Sequence, residues 1–158
     1  MHTRIRSTAA IAAGGLGLAA LAAFGISSPA AAAAHECRGV PATIVGTTGN
    51  DDIEGTSGRD VIVALSGHDE IDGNGGNDLI CAGSGHDEVD GGRGADKIWG
   101  SSGNDELSGG SGDDRIHGGS GRDLIEGERG QDRLSGGSGH DRVYQGSEPD
   151  HDDDRHDD

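Results

Sequence analysis

Single apolar residues recur every nine positions between Gly46 and Tyr144, and most residues around them are polar. An isolated apolar position of this kind predicts a very short β-strand that turns one side chain inward. The spacing divides the segment into eleven blocks of nine residues, without insertion or deletion: GTTGNDDIE, GTSGRDVIV, ALSGHDEID, GNGGNDLIC, AGSGHDEVD, GGRGADKIW, GSSGNDELS, GGSGDDRIH, GGSGRDLIE, GERGQDRLS and GGSGHDRVY.

Three columns of the repeat are invariant. Position eight is always Ile, Leu or Val, and position four is always glycine, which permits positive φ and close approach of stacked backbones. Position five is Asn, Asp or His in seven blocks, which predicts a second positive-φ site there. Position six is always aspartate: Asp51, Asp60, Asp69, Asp78, Asp87, Asp96, Asp105, Asp114, Asp123, Asp132 and Asp141.

Nine residues suit a half-turn made of a six-residue loop and a three-residue strand, so two blocks form one coil of 18 residues. We therefore predict an all-β fold, a parallel β-roll (a right-handed β-helix) of about five and a half coils stacked about 4.8 Å apart. Odd-numbered and even-numbered loops then lie along opposite edges. The roll spans residues 46–144, and residues 35–45 form an N-terminal cap segment with Ile44 in the apolar register.

Stacking aligns the aspartates in one row along each edge, where neighbouring carboxylates would repel one another. Aspartate also stabilises turns by itself, but that role does not explain an unbroken column of eleven. A hard divalent cation between the loops removes the repulsion. Calcium accepts six to eight oxygen ligands in flexible geometry, whereas magnesium requires a stricter octahedron and zinc prefers Cys and His. The aspartates therefore predict calcium sites.

The composition leads to the same conclusion. The chain has 32 glycines, 29 acidic residues and a net charge of −17, and aromatic residues make up only 2% of it. Low hydrophobicity and high net charge are by themselves typical of disorder, so folding requires a contribution beyond apolar burial. The negative charge also argues against nucleic acid as a partner.

The blocks resemble the RTX (hemolysin-type) calcium-binding repeat, G-G-x-G-x-D-x-U-x, and GGSGDDRIH and GGSGRDLIE match it throughout. The resemblance implies that each calcium ion lies between successive loops of one edge, held by loop carbonyls and the aspartate of position six. Six odd and five even loops then hold at most nine ions. Nine divalent ions would nearly balance the chain's charge, and folding would follow calcium binding.

The N-terminus has the features of a secretory signal peptide. Arg4 and Arg6 precede an uncharged run over residues 9–26, and residues 30–34 contain an A-x-A cleavage site. We predict removal of residues 1–34 and an extracellular location outside a bacterial cell. The alternative is an uncleaved membrane anchor, which so much Ala and Gly disfavours. Outside the cytosol, Cys37 and Cys81 are predicted to form a disulfide, with two free thiols as the alternative.

Three histidines share position five of odd blocks: His68, His86 and His140. The first two become neighbours on stacking, and either bind a transition metal or simply suit the turn. Residues 145–158 are predicted to be a disordered acidic tail, in which His151 and His156 offer a weak metal site.

No H-E-x-x-H or G-x-S-x-G motif is present, and we predict that the chain is not an enzyme. The sequence predicts a secreted, monomeric calcium-binding repeat protein with calcium ions as its ligands and, after signal removal, no membrane contact. The alternative is a non-catalytic scaffold or accessory module for a separately encoded extracellular enzyme or adhesin. An ice-binding roll would need a regular outward stripe of Thr or Asn, whereas positions seven and nine are mixed.

Overall fold

The computed structural model of the chain describes residues 3–6 and 35–146. These residues form short strands joined by loops and contain no helix, hence none that would cross a bilayer. The strands are β1 (Thr3–Arg6), β2 (Glu36–Cys37), β3 (Val40–Pro41), β4 (Ile44–Val45), β5 (Asp51–Glu54), β6 (Val61–Val63), β7 (Glu70–Asp72), β8 (Leu79–Ser84), β9 (Glu88–Asp90), β10 (Lys97–Ser102), β11 (Glu106–Ser108), β12 (Arg115–Gly121), β13 (Leu124–Glu126), β14 (Arg133–Gly139) and β15 (Arg142–Tyr144).

The strands form two parallel sheets that face each other across the core. The odd sheet has the order β1-β5-β7-β9-β11-β13-β15, and the even sheet has the order β14-β12-β10-β8-β6-β4. Most paired residues are 18 positions apart, as Ile53 and Ile71 are. The predicted all-β fold of parallel 18-residue coils is confirmed, and the solenoid has about six turns because β4 extends the even sheet ahead of the first block.

The residues of position eight form the main core, as the isolated apolar positions predict. Ile53, Ile62, Ile80, Ile98 and Ile125 are at most 1% exposed, and Ile44 continues the column into the cap segment. Burial decreases at the C-terminal end, where Leu134 is half-buried and Val143 is 43% exposed. One aliphatic side chain per half-turn makes a thin core, so the loops must contribute to stability.

A second apolar cluster lies on the outer face of the even sheet. Blocks two and four carry apolar residues at their outward positions, among them Val61 and Leu79, and the antiparallel pair β2–β3 lies against them. Cys37 is fully buried there and is bonded to Cys81 of β8. The guanidinium of Arg38 lies 5.1 Å from the ring centroid of Trp99. The cap segment therefore covers the N-terminal half of this face.

Removing the disulfide is expected to destabilise the calcium-loaded roll by about 3–4 kcal/mol, the chain-entropy value for a closed loop of this length. The two cysteines are 44 positions apart in sequence. Urea unfolding of the Cys37→Ser/Cys81→Ser variant in saturating calcium measures the loss. Wild-type protein in dithiothreitol is the control and should lose the same amount. An unchanged midpoint in both samples would contradict the prediction.

Part of the predicted signal peptide belongs to the roll in the structure. β1 pairs with β5 so that Ile5 lies opposite Ile53, and the Arg4 guanidinium is 2.8 Å from a carboxylate oxygen of Asp52. The predicted apolar run, its cleavage site and most of the acidic tail lie outside the described residues. Removal of residues 1–34 stays a prediction, and it would expose the edge of β5.

The second positive-φ column is at position two, and its prediction at position five is wrong. From the third block onward, position two has positive φ in every loop, including the non-glycine residues Leu65, Asn74, Ser101 and Glu128. Position four shows positive φ in the same nine loops. Asn, Asp and His at position five have another role, which is described with the loops below.

Candidate calcium-binding loops

The aspartates of position six lie inside the loops, in one row along each edge of the roll. Their burial is nearly complete in the first nine loops, from 0% exposed for Asp51 and Asp96 to 5% for Asp60. Asp132 and Asp141, at the C-terminal end, are half-buried. Charged side chains are rarely buried to this extent without a compensating partner.

From Asp69 onward, one oxygen of each aspartate accepts a hydrogen bond from the preceding coil of the same edge. The backbone N–H of Asp51 donates to Oδ1 of Asp69 at 2.9 Å, and the N–H of Asp78 donates to Oδ1 of Asp96 at 2.7 Å. The same contact repeats along both rows, at distances up to 3.1 Å. These hydrogen bonds fix the orientation of the carboxylates and couple each loop to the next one on the same edge.

The other oxygen has no hydrogen-bond partner in most loops. Buried polar atoms are nearly always partnered in folded proteins, because an unpartnered one costs about 1–3 kcal/mol and more when charged. A whole column of such exceptions is the arrangement expected of atoms that bind a cation. The oxygens concerned are Oδ2 of Asp69, Asp78, Asp87, Asp96, Asp105, Asp114, Asp123 and Asp132.

Burial changes the acidity of the rows. Desolvation is the main reason why the pKa is raised to about 6 for Asp78, Asp87, Asp96, Asp105 and Asp114. The hydrogen bond from the N–H of the preceding aspartate lowers the pKa in part, and neighbouring carboxylates raise it further. Desolvation also raises the pKa of Asp69 and Asp123. A rise from 3.8 to about 6 means that each deprotonated carboxylate destabilises the roll by roughly 3 kcal/mol. A cation beside the row would remove this penalty.

The donor set fits calcium. The free atoms are carboxylate oxygens, which hard cations prefer, and the loops around them are glycine-rich backbone with carbonyl oxygens. Within residues 3–6 and 35–146, no three His, Cys, Asp or Glu side chains converge on one point. Side chains alone therefore do not complete a calcium site there, and most of the six to eight ligands of calcium would have to be backbone carbonyl oxygens.

Position five supplies a hydrogen-bond acceptor to the next coil. Asn50 Oδ1 accepts from the N–H of His68 at 3.0 Å, and Asn104 Oδ1 accepts from the N–H of Arg122 at 2.8 Å. Histidine does the same through Nδ1: His68 accepts from the N–H of His86 at 3.0 Å, and His86 accepts from the N–H of Asn104 at 2.8 Å. Sequence reasoning missed this role, although Asn, Asp and His share a side-chain acceptor near the backbone.

These contacts also bear on the alternative of a transition-metal site. The imidazole rings of His68 and His86 stack with centroids 5.0 Å apart. His68 Nδ1 also lies 3.2 Å from the backbone carbonyl oxygen of His86, so the Nδ1 atoms of both rings are in hydrogen-bond contact with the backbone of the next coil. That arrangement supports the turn role of the two histidines. His140 lies in the last odd loop, beyond which no block follows.

The outer faces of the two sheets carry opposite charge. Glu70, Glu88 and Glu106 lie opposite one another on the odd sheet, whereas Lys97, Arg115 and Arg133 do so on the even sheet. All six side chains are exposed. Like charges directly opposite each other weaken strand pairing, so the outer faces do not account for the stability of the coils.

The repeats match a known protein family. The model of the RTX calcium-binding nonapeptide repeat (four copies) matches residues 45–80, 82–116 and 108–143. No curated protein and no solved structure matches the chain significantly.

Proposed function

Because the chain belongs to the RTX calcium-binding nonapeptide repeat family, we propose that it is a secreted, non-catalytic protein whose folding is driven by calcium. The chain is a calcium-binding repeat protein. The proposal adds that calcium binding drives its folding. Ions bound between stacked loops would take the aspartates of position six as ligands in both rows, at most nine ions in all.

The observation that carries the proposal is the column of eight buried Oδ2 atoms without partners. Two deprotonated carboxylates at roughly 3 kcal/mol each would offset much of the stability of a typical domain, which is about 5–15 kcal/mol. The metal-free roll is therefore unstable at neutral pH. An ion that binds only the folded loops adds its binding free energy to folding.

Calcium-coupled folding fits export of the chain. Proteins with RTX repeats are typically secreted by bacteria, and the basic and apolar segments within residues 1–34 are those predicted for a signal peptide. We propose that the chain stays unfolded where calcium is scarce and folds outside the cell, where calcium is abundant. Calcium ions are its proposed ligands, and a monomer is its proposed state.

A calcium titration of the metal-stripped full chain tests the proposal. Far-UV circular dichroism is expected to change cooperatively from a disordered to a β-rich spectrum with calcium, and not with magnesium at the same concentration. Excess chelator should reverse the change. A flat titration, or an equally strong β-signal in chelator at pH 7, would contradict calcium-driven folding.

A further inference from the structure

The first two loops of the roll differ in backbone from the nine that follow. Positions two and four have positive φ in every loop from the third block onward, but Thr47, Gly49, Thr56 and Gly58 do not. Threonine is β-branched and takes positive φ only at a high steric cost. Elsewhere position two is Gly, Leu, Asn, Ser or Glu. The two threonines therefore select a separate loop conformation.

In this conformation the threonines donate hydrogen bonds to the first carboxylate of each row. The N–H of Thr47 donates to Oδ2 of Asp51 at 2.5 Å, and its hydroxyl lies 3.0 Å from both carboxylate oxygens. The N–H and hydroxyl of Thr56 donate to Oδ2 of Asp60 at 2.7 and 2.8 Å. Thr43 adds a longer contact of 3.4 Å to Oδ1 of Asp60.

Asp51 and Asp60 thus lack the feature that marks the other buried aspartates. Their burial is the same, 0% and 5% exposed, yet neither has an unpartnered buried oxygen. The hydroxyl and N–H groups of threonine turn the positive ends of their dipoles toward these carboxylates. In the later loops the corresponding Oδ2 atom has no hydrogen-bond partner. A calcium ion at these two carboxylates would have to displace the threonine contacts and change the loop backbone.

We propose that Thr47 and Thr56 close the first two loops to calcium, so that the first coil holds its shape without the ion. The inference rests on the proposed calcium sites of the other loops. Without the first two loops, five odd and four even loops remain, which reduces the maximum from nine ions to seven. The disulfide from Cys37 to Cys81 and the cap segment stabilise the same end. The first coil then serves as a calcium-independent template for the later ones.

Three double variants of the full chain test this inference, with bound calcium counted by equilibrium dialysis and elemental analysis. Asp51→Asn/Asp60→Asn is expected to bind as many ions as the wild type. The matched control Asp87→Asn/Asp96→Asn removes one carboxylate from the interior of each row and is expected to lose at least two ions. Thr47→Gly/Thr56→Gly restores the family's residue at position two and is expected to gain one or two ions.

Far-UV spectra in saturating calcium verify that each variant is folded, and hydrogen exchange in chelator gives an independent measurement. Under the inference, the N–H groups of Thr47 and Thr56 exchange more slowly in chelator than those of Gly92 and Gly110, at position two of later loops. Equal exchange, an equal loss of ions in Asp51→Asn/Asp60→Asn and its control, or no gain in the glycine variant would overturn it. Unchanged calcium binding in the Asp87→Asn/Asp96→Asn control would instead refute the proposed calcium sites themselves.

Discussion

Gly103→Ala is expected to destabilise the calcium-loaded roll by about 2–6 kcal/mol. Gly103 has a φ of +142°, where a side chain costs about 1–3 kcal/mol. A methyl group at this position would also overlap the backbone carbonyl oxygen of Gly85 in the preceding coil. The obstacle is backbone, which no rotamer change can move, so overpacking adds about 1–3 kcal/mol. The coils on either side would have to move apart and break the loop stacking there.

Gly49→Ala is the matched control, because Gly49 holds the same position of the repeat in the first block. Its φ is not positive, and the nearest atom to an added methyl group is Thr47 Oγ1 at 3.8 Å. Urea unfolding in saturating calcium should place this variant within about 0.5 kcal/mol of the wild type. Equal losses in the two variants would mean that close stacking of the loops is not what requires glycine at position four.

The nine-residue pattern predicted the coil because each of its strong signals has one structural meaning. An isolated aliphatic residue, such as Ile80 or Ile98, must turn inward, and constant spacing forces every coil into the same register. The rows of aspartates follow directly from that register. These features depend only on the repeat, so one sequence was sufficient to predict them.

The conformation of the loop was harder to predict, because several residue types share each tendency. Asn and His tolerate positive φ and also carry an acceptor near the backbone, and the sequence alone does not separate the two explanations. The structure assigns the acceptor role to position five. It assigns positive φ to position two, where Leu65 and Glu128 adopt it although side chains of these types rarely do. Stacking of the coils imposes this backbone, against local preference.

The outer face of the even sheet could not be predicted for a different reason. Val61 and Leu79 at outward positions looked like irregularities in a mixed pattern, since the repeat gives no information about what lies outside it. They are buried because the segment around Cys37 covers them. The predicted cysteine pair placed that segment near block four, but not against this face. Contacts between repetitive and non-repetitive parts of a chain depend on packing that periodicity does not encode.

Lowering the pH from 7 to about 4 is expected to fold the metal-free chain partly, in place of calcium. The pKa of Asp78, Asp87, Asp96, Asp105 and Asp114 is about 6 in the folded loops, against a value of 3.8 for an unperturbed carboxyl. Between these two values the folded state binds more protons than the unfolded state, so its stability rises as the pH falls. Above about pH 6 both states are deprotonated, and the full penalty of burying charge applies.

Far-UV circular dichroism in excess chelator, scanned from pH 7 to pH 4, measures this effect, and sedimentation checks that the chain stays monomeric. The triple variant Asp78→Asn/Asp96→Asn/Asp114→Asn removes three of the penalties in one row. It is expected to show more β-structure than the wild type in chelator at pH 7, and a weaker response to both acid and calcium.

In the wild type, calcium affinity should fall as the pH drops through about 6, since protons and calcium compete for the same carboxylates. If the metal-free chain instead lost β-structure on acidification, the buried rows would not be what keeps it unfolded at neutral pH, and the coupling of charge, calcium and folding argued from their burial would be wrong.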